Sequence, residues 1–229
     1  LEHYKGKIKG WDVVNEAVPD GPGDLRDTPA YKAIGDDFVL KAFEFAHEAD
    51  PNVELYYNDY NIDMDYKREK GLKLVRRIRD AGLRLDAVGI QGHWGLENPD
   101  LAQIERGIRA YADDGFKIMV TELDVDPLPR KGSGGADLSA SEREGLDPYR
   151  NGFPPEMQKR LAERYRDIMS LLVRIPQVTR VTFWGTTDGN TWLNEFPVHG
   201  RVNHPMLWDR EYRPKPAFDA VLDALAARP

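Results

Sequence analysis

Residues 8–16 have the sequence IKGWDVVNE, in which an apolar run ends directly in an amide and a carboxylic acid. The run Ile8 to Val14 predicts a β-strand, because aromatic and β-branched residues suit a strand that is buried on both faces. Asn15 and Glu16 then lie at its carboxyl end, the edge at which parallel α/β sheets carry functional side chains. The stretch therefore predicts one strand of a parallel sheet with a candidate site at its end.

Four more apolar runs follow along the chain, and amphipathic helices separate them. Asp36 to Ala49 and Pro99 to Asp114 are two of the predicted helices, the second with Asn98 as its N-cap. Together with the first run, the predicted strands are Ile8–Val14, Val53–Tyr57, Ala87–Gln91, Phe116–Thr121 and Val178–Trp184.

Strands that alternate with helices predict βαβ units and a parallel sheet. No GxGxxG or GxxxxGK[ST] loop follows any strand, which argues against a nucleotide-binding sheet. Polar and aromatic residues follow the strands instead, as on the active face of a (β/α)8 barrel. Only five strands are predicted and the chain starts at Leu1 rather than Met. We therefore expect residues 1–229 to be the C-terminal part of one domain, with strands 4–8 present and the first three β/α units absent.

Composition excludes several classes of protein. The net charge of −7 is spread over interspersed acidic and basic residues, so no basic stripe predicts a nucleic-acid partner. No apolar stretch approaches the roughly 18 residues of a membrane span. The chain has no cysteine, which excludes disulfides and thiol nucleophiles but does not fix the compartment. Residues 128–155 lack periodicity and predict a long, mobile loop on the active face.

Two carboxylic acids follow two different predicted strands, Glu16 after the first and Glu122 after the fourth. One protonated and one ionised carboxyl group are what glycoside cleavage requires, although acidic residues at strand ends are also common as solvated charges or ion pairs. Trp184 and Trp192 strengthen the first interpretation, because sugar rings stack on indoles. Filling the core is the alternative role for such residues.

Four ordered motifs together resemble glycoside hydrolase family 10, the xylanases. They are WDVVNEA at 11–17, YNDYN at 57–61, GIQGH at 89–93 and VTELD at 120–124. The resemblance implies a retaining endo-β-1,4-xylanase with Glu16 as acid/base and Glu122 as nucleophile. Their carboxyl groups would lie roughly 5–5.5 Å apart. The resemblance implies neither a cofactor nor a metal.

The resemblance also implies roles for neighbouring residues. Asn15 would hydrogen-bond the sugar 2-hydroxyl, and His93 would hydrogen-bond Glu122 while Asp124 fixes its ring. Trp184 and Trp192 would line the glycone side and Tyr60 the aglycone side. The residues with an implied part in substrate binding are Gln91, Tyr60, Trp184 and Trp192.

The implied partner is xylan or a xylo-oligosaccharide, and the implied location is secreted or periplasmic. The family's first three strands carry glycone-binding residues that nothing in this chain matches. We therefore expect an N-terminal part of the barrel as a further partner, either as a separate segment or joined through an inserted domain, such as one that binds carbohydrate.

Three other hypotheses compete with the xylanase. The motifs fit a β-1,4-glucanase or cellobiosidase of the same family, because they define the mechanism better than the sugar. The chain could also be inactive alone, serving as a carbohydrate-binding or complementing fragment. A metal-dependent barrel hydrolase is disfavoured, because only His93 of the five histidines lies directly at a strand end.

Overall fold

The computed structural model describes residues 2–129 and 145–227, in which strands alternate with helices. The strands are β1 Gly10–Asn15, β2 Glu54–Tyr60, β3 Ala87–Gly95, β4 Ile118–Asp126 and β5 Val178–Phe183. The helices are α1 Pro29–Ile34, α2 Phe38–Ala49, α3 Asp65–Asp80, α4 Leu101–Asp113, α5 Pro155–Leu172 and α6 Pro216–Ala226. The five predicted strands and their alternation with helices are confirmed.

The strands form one sheet in the order β1-β2-β3-β4-β5. β1 pairs in parallel with β2, with Gly10 opposite Glu54 and Asn15 opposite Asn58. β2 pairs in parallel with β3. Each strand of the described part thus neighbours the next in sequence, without the reversal of order at which doubly wound sheets bind nucleotides. Residues at the ends of β1 and β2, such as Asn15 and Asn58, are therefore placed side by side.

Some predicted bounds are wrong. β4 continues through Asp126 rather than ending at Thr121, because the polar residues of this segment alternate with the fully buried Leu123 and Val125. α4 begins at Leu101, so the predicted N-cap Asn98 precedes the helix. Its carbonyl instead accepts a hydrogen bond from the backbone N–H of Gly95 at 2.7 Å, closing a turn.

One compact unit comprises Leu1–Gln91, Ala102–Thr121 and Gln177–Val181. Its core includes the buried faces of α2, α3 and α4, whereas α1 has no buried residue. On α4, Gly107 is pressed against the loop after β2, where a Cβ at Gly107 would lie 2.8 Å from Asp63 Cα. The largest fully buried side chains of this unit include Phe43, Leu55, Tyr57, Ile62, Ile78, Ile104, Ile108 and Tyr111.

A second compact unit comprises Gly92–Leu101, Glu122–Pro176 and Thr182–Pro229. α5 and α6 pack together here, and the buried Tyr165 of α5 donates its hydroxyl to Pro205 O at 2.6 Å. The buried Lys215 pairs with Asp188 at 2.9 Å, joining the start of α6 to the segment after β5. The predicted mobile loop at 128–155 falls largely on residues 130–144, which lie outside the described residues. No helix in the described ranges has the length and apolar character needed to cross a bilayer.

Candidate active site

Glu16 follows directly after β1, and its carboxylate is held by two side chains of the first unit. Gln91 Nε2 donates to Glu16 Oε1 at 3.1 Å, and Arg26 Nη1 donates to Oε2 at 3.5 Å. The backbone N–H of Glu16 donates to Asn58 O at 2.8 Å, which continues the pairing of β1 with β2. The side chain is about one-third exposed, at 32%. Glu16 is therefore oriented by the protein and still open to a substrate.

An amide cluster lies beside Glu16, at the ends of β1 and β2. Asn58 Nδ2 donates to Asn15 Oδ1 at 2.9 Å, and Gln91 Nε2 lies 3.3 Å from the same oxygen. Thr121 Oγ1 donates to the other end of the Asn58 amide, Oδ1, at 2.6 Å. Asn15 is thereby held in one orientation, as a residue that recognises a sugar hydroxyl must be.

Glu122 lies within β4 and shares His93 with Asp124. His93 Nε2 is 3.1 Å from Glu122 Oε2, and His93 Nδ1 is 3.1 Å from Asp124 Oδ2. Burial lowers the pKa of His93, but the hydrogen bonds to Asp124 and Glu122 outweigh it and raise the pKa to about 9. At neutral pH the ring is therefore a cation that donates from both nitrogens, one to Glu122 and one to Asp124.

The second unit also fixes Trp192 beside this group. Trp192 Nε1 donates to Asp124 Oδ2 at 2.8 Å, and its ring centre lies 4.8 Å from that of His93. Phe196 stacks on the indole with ring centres 5.2 Å apart and planes inclined by 20°. The indole is thus held by a buried carboxylate on one side and an aromatic ring on the other.

Tyr60 and Trp184 end two further strands. The Tyr60 hydroxyl donates to Asp20 at 2.7 Å and accepts from Arg26 Nη2. Burial and then the hydrogen bond to Asp20 raise the pKa of Tyr60 to about 12, so the phenol stays neutral. Its hydroxyl is occupied and Lys67 Nζ lies over one face of the ring, 3.5 Å from its centre, so the opposite face is the part left for a sugar. Trp184 follows β5 and is an exposed residue, at 46%, and its backbone N–H donates to Leu123 O at 3.0 Å.

The backbone is in the left-handed region at both predicted catalytic residues, with φ of 57° at Glu16 and 56° at Glu122. This region costs a residue with a Cβ about 1–2 kcal/mol and is concentrated at functional sites. In the described ranges, the non-glycine residues with positive φ are Glu16, Asn61, Glu122 and Tyr212.

The structure brings the predicted residues together within each unit, and it adds residues that the sequence did not indicate. Arg26, Asn58 and Thr121 were not predicted, although Asn58 lies in a quoted motif and its place opposite Asn15 follows from parallel pairing.

In the part of the chain that is described, no three His, Asp or Glu side chains are grouped so that they could hold a metal ion. The first unit holds Asn15, Glu16, Tyr60 and Gln91, and the second holds His93, Glu122, Asp124, Trp184 and Trp192.

Comparisons with known proteins show which proteins this chain is similar to. A family model described as Glycosyl hydrolase family 10 matches residues 1–224. Endo-1,4-beta-xylanase A of Xylanibacter ruminicola is 45% identical over 226 residues, which are 97% of this chain and 61% of that protein. An endo-1,4-beta-xylanase of Geobacillus stearothermophilus is 43% identical and covers 97% of this chain and 64% of that protein. The chain thus spans less than two thirds of the length of these relatives.

A solved structure agrees with the sequence comparison. The structure of a GH10 endoxylanase from a sugarcane soil metagenome matches with a TM-score of 0.88 and 42% identity, covering 97% of this chain and 64% of that one. This likeness confirms the predicted fold class, a (β/α)8 barrel of which this chain holds a part.

Proposed function

Since the chain belongs to glycosyl hydrolase family 10, we propose that the whole protein is a retaining endo-1,4-β-xylanase and that this chain supplies both of its catalytic carboxyl groups. The observation that carries the proposal is the position of His93, whose two ring nitrogens lie 3.1 Å from Glu122 and 3.1 Å from Asp124 and so hold the Glu122 carboxyl group in place. Glu16, the other carboxyl group, is contacted by Gln91 and Arg26 and is one-third exposed.

In the first step, Glu122 attacks the anomeric carbon and Glu16 gives its proton to the departing glycosidic oxygen. A covalent glycosyl–enzyme forms at Glu122, and the aglycone leaves as an alcohol. Glu16 then takes a proton from water, whose oxygen attacks the same carbon and releases Glu122. Two displacements give net retention, and Glu16 regains its proton.

The surrounding residues supply substrate binding. Asn15, held by Asn58 and Gln91, donates to the 2-hydroxyl of the sugar at the cleaved bond, a contact that strengthens in the transition state. Trp184 and Trp192 present aromatic faces to the glycone. Tyr60, whose hydroxyl is already bonded, presents its ring to the aglycone.

Exchange of the nucleophile for glycine tests the proposal. In the complete enzyme, Glu122→Gly should abolish hydrolysis, and added azide should restore turnover with an α-glycosyl azide as product, because azide enters from the face that Glu122 occupied. Glu97→Gly, which removes an exposed carboxylate paired with Arg160 at 2.7 Å, should leave hydrolysis unchanged. A β-glycosyl azide from the Glu122 variant would instead make this residue the acid/base.

The substrate is tested separately from the mechanism. The relatives named above are xylanases, which favours xylan over a β-1,4-glucan as the substrate of the whole protein. Parallel rates on xylan and carboxymethylcellulose should show a clear preference for xylan. A preference for the glucan would replace the proposed substrate and leave the mechanism in place.

The proposed location follows from the proposed substrate. Polymeric xylan does not enter cells, so its hydrolysis places the whole protein outside the cytoplasm, secreted or periplasmic. Detection of the protein and its xylanase activity only in the cytoplasmic fraction would contradict this.

A further inference from the structure

Arg26 lies between two residues of the proposed site, on the segment that follows β1. Its Nη1 donates to Glu16 Oε2 at 3.5 Å, and its Nη2 donates to the Tyr60 hydroxyl. The guanidinium carbon is 5.2 Å from the centre of the Tyr60 ring. One cation thus contacts both the proposed acid/base and the proposed aglycone platform.

The surroundings of Arg26 are fixed from several sides. Its backbone N–H donates to Ala17 O at 2.7 Å. The Tyr60 hydroxyl donates a hydrogen bond to Asp20 at 2.7 Å, and Nζ of the buried Lys67 lies 3.5 Å from the centre of the Tyr60 ring. Because a guanidinium group is planar and its N–H donors point in fixed directions, anchoring one Nη atom on Tyr60 determines where the other points.

We propose that Arg26 is a positioning residue that holds the Glu16 carboxyl group for proton transfer to the leaving sugar. Glu16 becomes a carboxylate as it gives up its proton, and the Arg26 cation stabilises the charge that develops there. Gln91 Nε2 donates to the other oxygen, Glu16 Oε1, at 3.1 Å, so each oxygen of the carboxyl group accepts from one side chain. The inference rests on the proposed function, because it needs Glu16 to be the acid.

Leaving groups of different basicity give a direct test. An alcohol departing from a xylo-oligosaccharide needs a proton, whereas 2,4-dinitrophenolate departs without one. In the complete enzyme, Arg26→Gln should lower kcat/KM for a xylo-oligosaccharide by about 10–100-fold, which is less than the roughly 10²–10⁴-fold contributed by a general acid itself, because Arg26 acts only through Glu16. For 2,4-dinitrophenyl β-xylobioside the loss should stay below about threefold by the same reasoning. Activity retained on the second substrate also shows that the variant folds.

Two further variants serve as controls. Arg84 has a similar exposure to Arg26, 32% against 34% for the side chains, and pairs with Asp86 at 2.8 Å near the start of β3. Arg84→Gln should change neither rate. Arg26→Lys keeps the charge but loses the two-pronged geometry, so it should recover part of the activity on the oligosaccharide.

The outcomes separate this inference from the function on which it rests. Equal losses on both substrates, or no loss on either, would show that Arg26 does not position the acid. Glu16→Ala is measured alongside, and it should lose activity selectively on the oligosaccharide. If Glu16→Ala shows that selectivity and Arg26→Gln does not, the inference is wrong and the proposed function stands. If Glu16→Ala shows none, the assignment of the acid itself is wrong.

Discussion

At the scale of single residues, His93 links two carboxylates of the second unit. It lies 3.1 Å from a carboxylate oxygen of Glu122 and equally far from one of Asp124. Because the folded pKa is raised, the charged form stabilises the fold at low pH, and this stabilisation disappears when the proton is lost.

The pH dependence of stability follows from that sign. The contribution of His93 is complete below pH 6.5, its ordinary pKa, and is lost as the pH rises through about 9. At about 1.4 kcal/mol per pKa unit, up to about 3 kcal/mol of unfolding free energy depends on this proton. Urea unfolding of the complete enzyme at about pH 6 and about pH 9.5 should show this fall, and His93→Gln should lack it. His199→Gln, at an exposed histidine, should retain it, and the same fall in His93→Gln would contradict the prediction.

Trp192 offers a second test at this scale, because its Nε1 is a donor to the buried Asp124. Trp192→Phe keeps an aromatic ring and removes the donor, so the unfolding free energy should drop by about 1.5–3 kcal/mol, the cost of a hydrogen bond to a charged group. Trp184→Phe changes an exposed ring and should cost less than about 0.5 kcal/mol. Equal effects of the two variants would mean that the bond to Asp124 contributes little.

The contacts of single residues were predictable only where the family resemblance named them. The hydrogen bonds of His93 with Glu122 and Asp124 were expected and are confirmed. Arg26 was not expected, because its segment has no periodicity and its contact with Tyr60 depends on how the chain turns after β1. Long-range contacts of flexible side chains leave no local pattern in a sequence.

At the scale of helices and strands, apolar periodicity predicted the type and order of elements but not their ends. β4 extends to Asp126, and its last four residues are all buried although two of them are aspartates, which an apolar pattern does not predict. α4 starts at Leu101 rather than at the predicted Pro99, because the segment at Asn98 forms a separate turn instead of the first turn of the helix. Local hydrogen bonds of this kind determine where a helix or strand ends, whereas burial of apolar side chains determines its interior.

The packing of α4 gives a prediction at this scale. A Cβ at Gly107 would lie 2.8 Å from Asp63 Cα, and backbone cannot move aside as a flexible side chain can. Gly107→Ala should therefore lower the unfolding free energy by about 1–3 kcal/mol despite the better helix propensity of alanine. Gly21→Ala is the control, since no atom lies within 4 Å of its added Cβ. Urea unfolding of both variants checks this, and a more stable Gly107→Ala would show that α4 shifts freely.

At the scale of the whole molecule, the chain covers 61% and 64% of the two named relatives. Its family and fold class could be recognised from four short motifs, because these residues occupy successive strand ends of a sheet whose strands are in sequence order.

The single catalytic domain over residues 1–229 and the roughly 5–5.5 Å between the carboxyl groups of Glu16 and Glu122 stay predictions. A crystal structure of the complete enzyme with a xylo-oligosaccharide would measure that distance, and a separation near about 10 Å would exclude a retaining mechanism.

The sheet predicts how residues 1–229 behave when expressed alone. β1 and β5 are the outer strands in the described sheet order, and exposed strand edges favour self-association. We expect this chain alone to aggregate or to unfold without cooperativity, and co-expression with the preceding segment of a relative to restore a soluble, active protein. A monomer that unfolds cooperatively by itself would contradict the expectation.

At Glu16, the left-handed backbone favours glycine for thermal stability, whereas turnover requires the glutamate side chain. Glycine adopts φ of 57° without the clash that a Cβ causes, and the side-chain hydrogen bonds that would be lost with Glu16 are those from Gln91 at 3.1 Å and Arg26 at 3.5 Å, on a side chain that is one-third exposed. Laboratory evolution that rewarded heat resistance alone would therefore drift toward glycine here and yield a sturdier protein that no longer cleaves its polymer. A screen for hardier variants must select for catalysis at the same time.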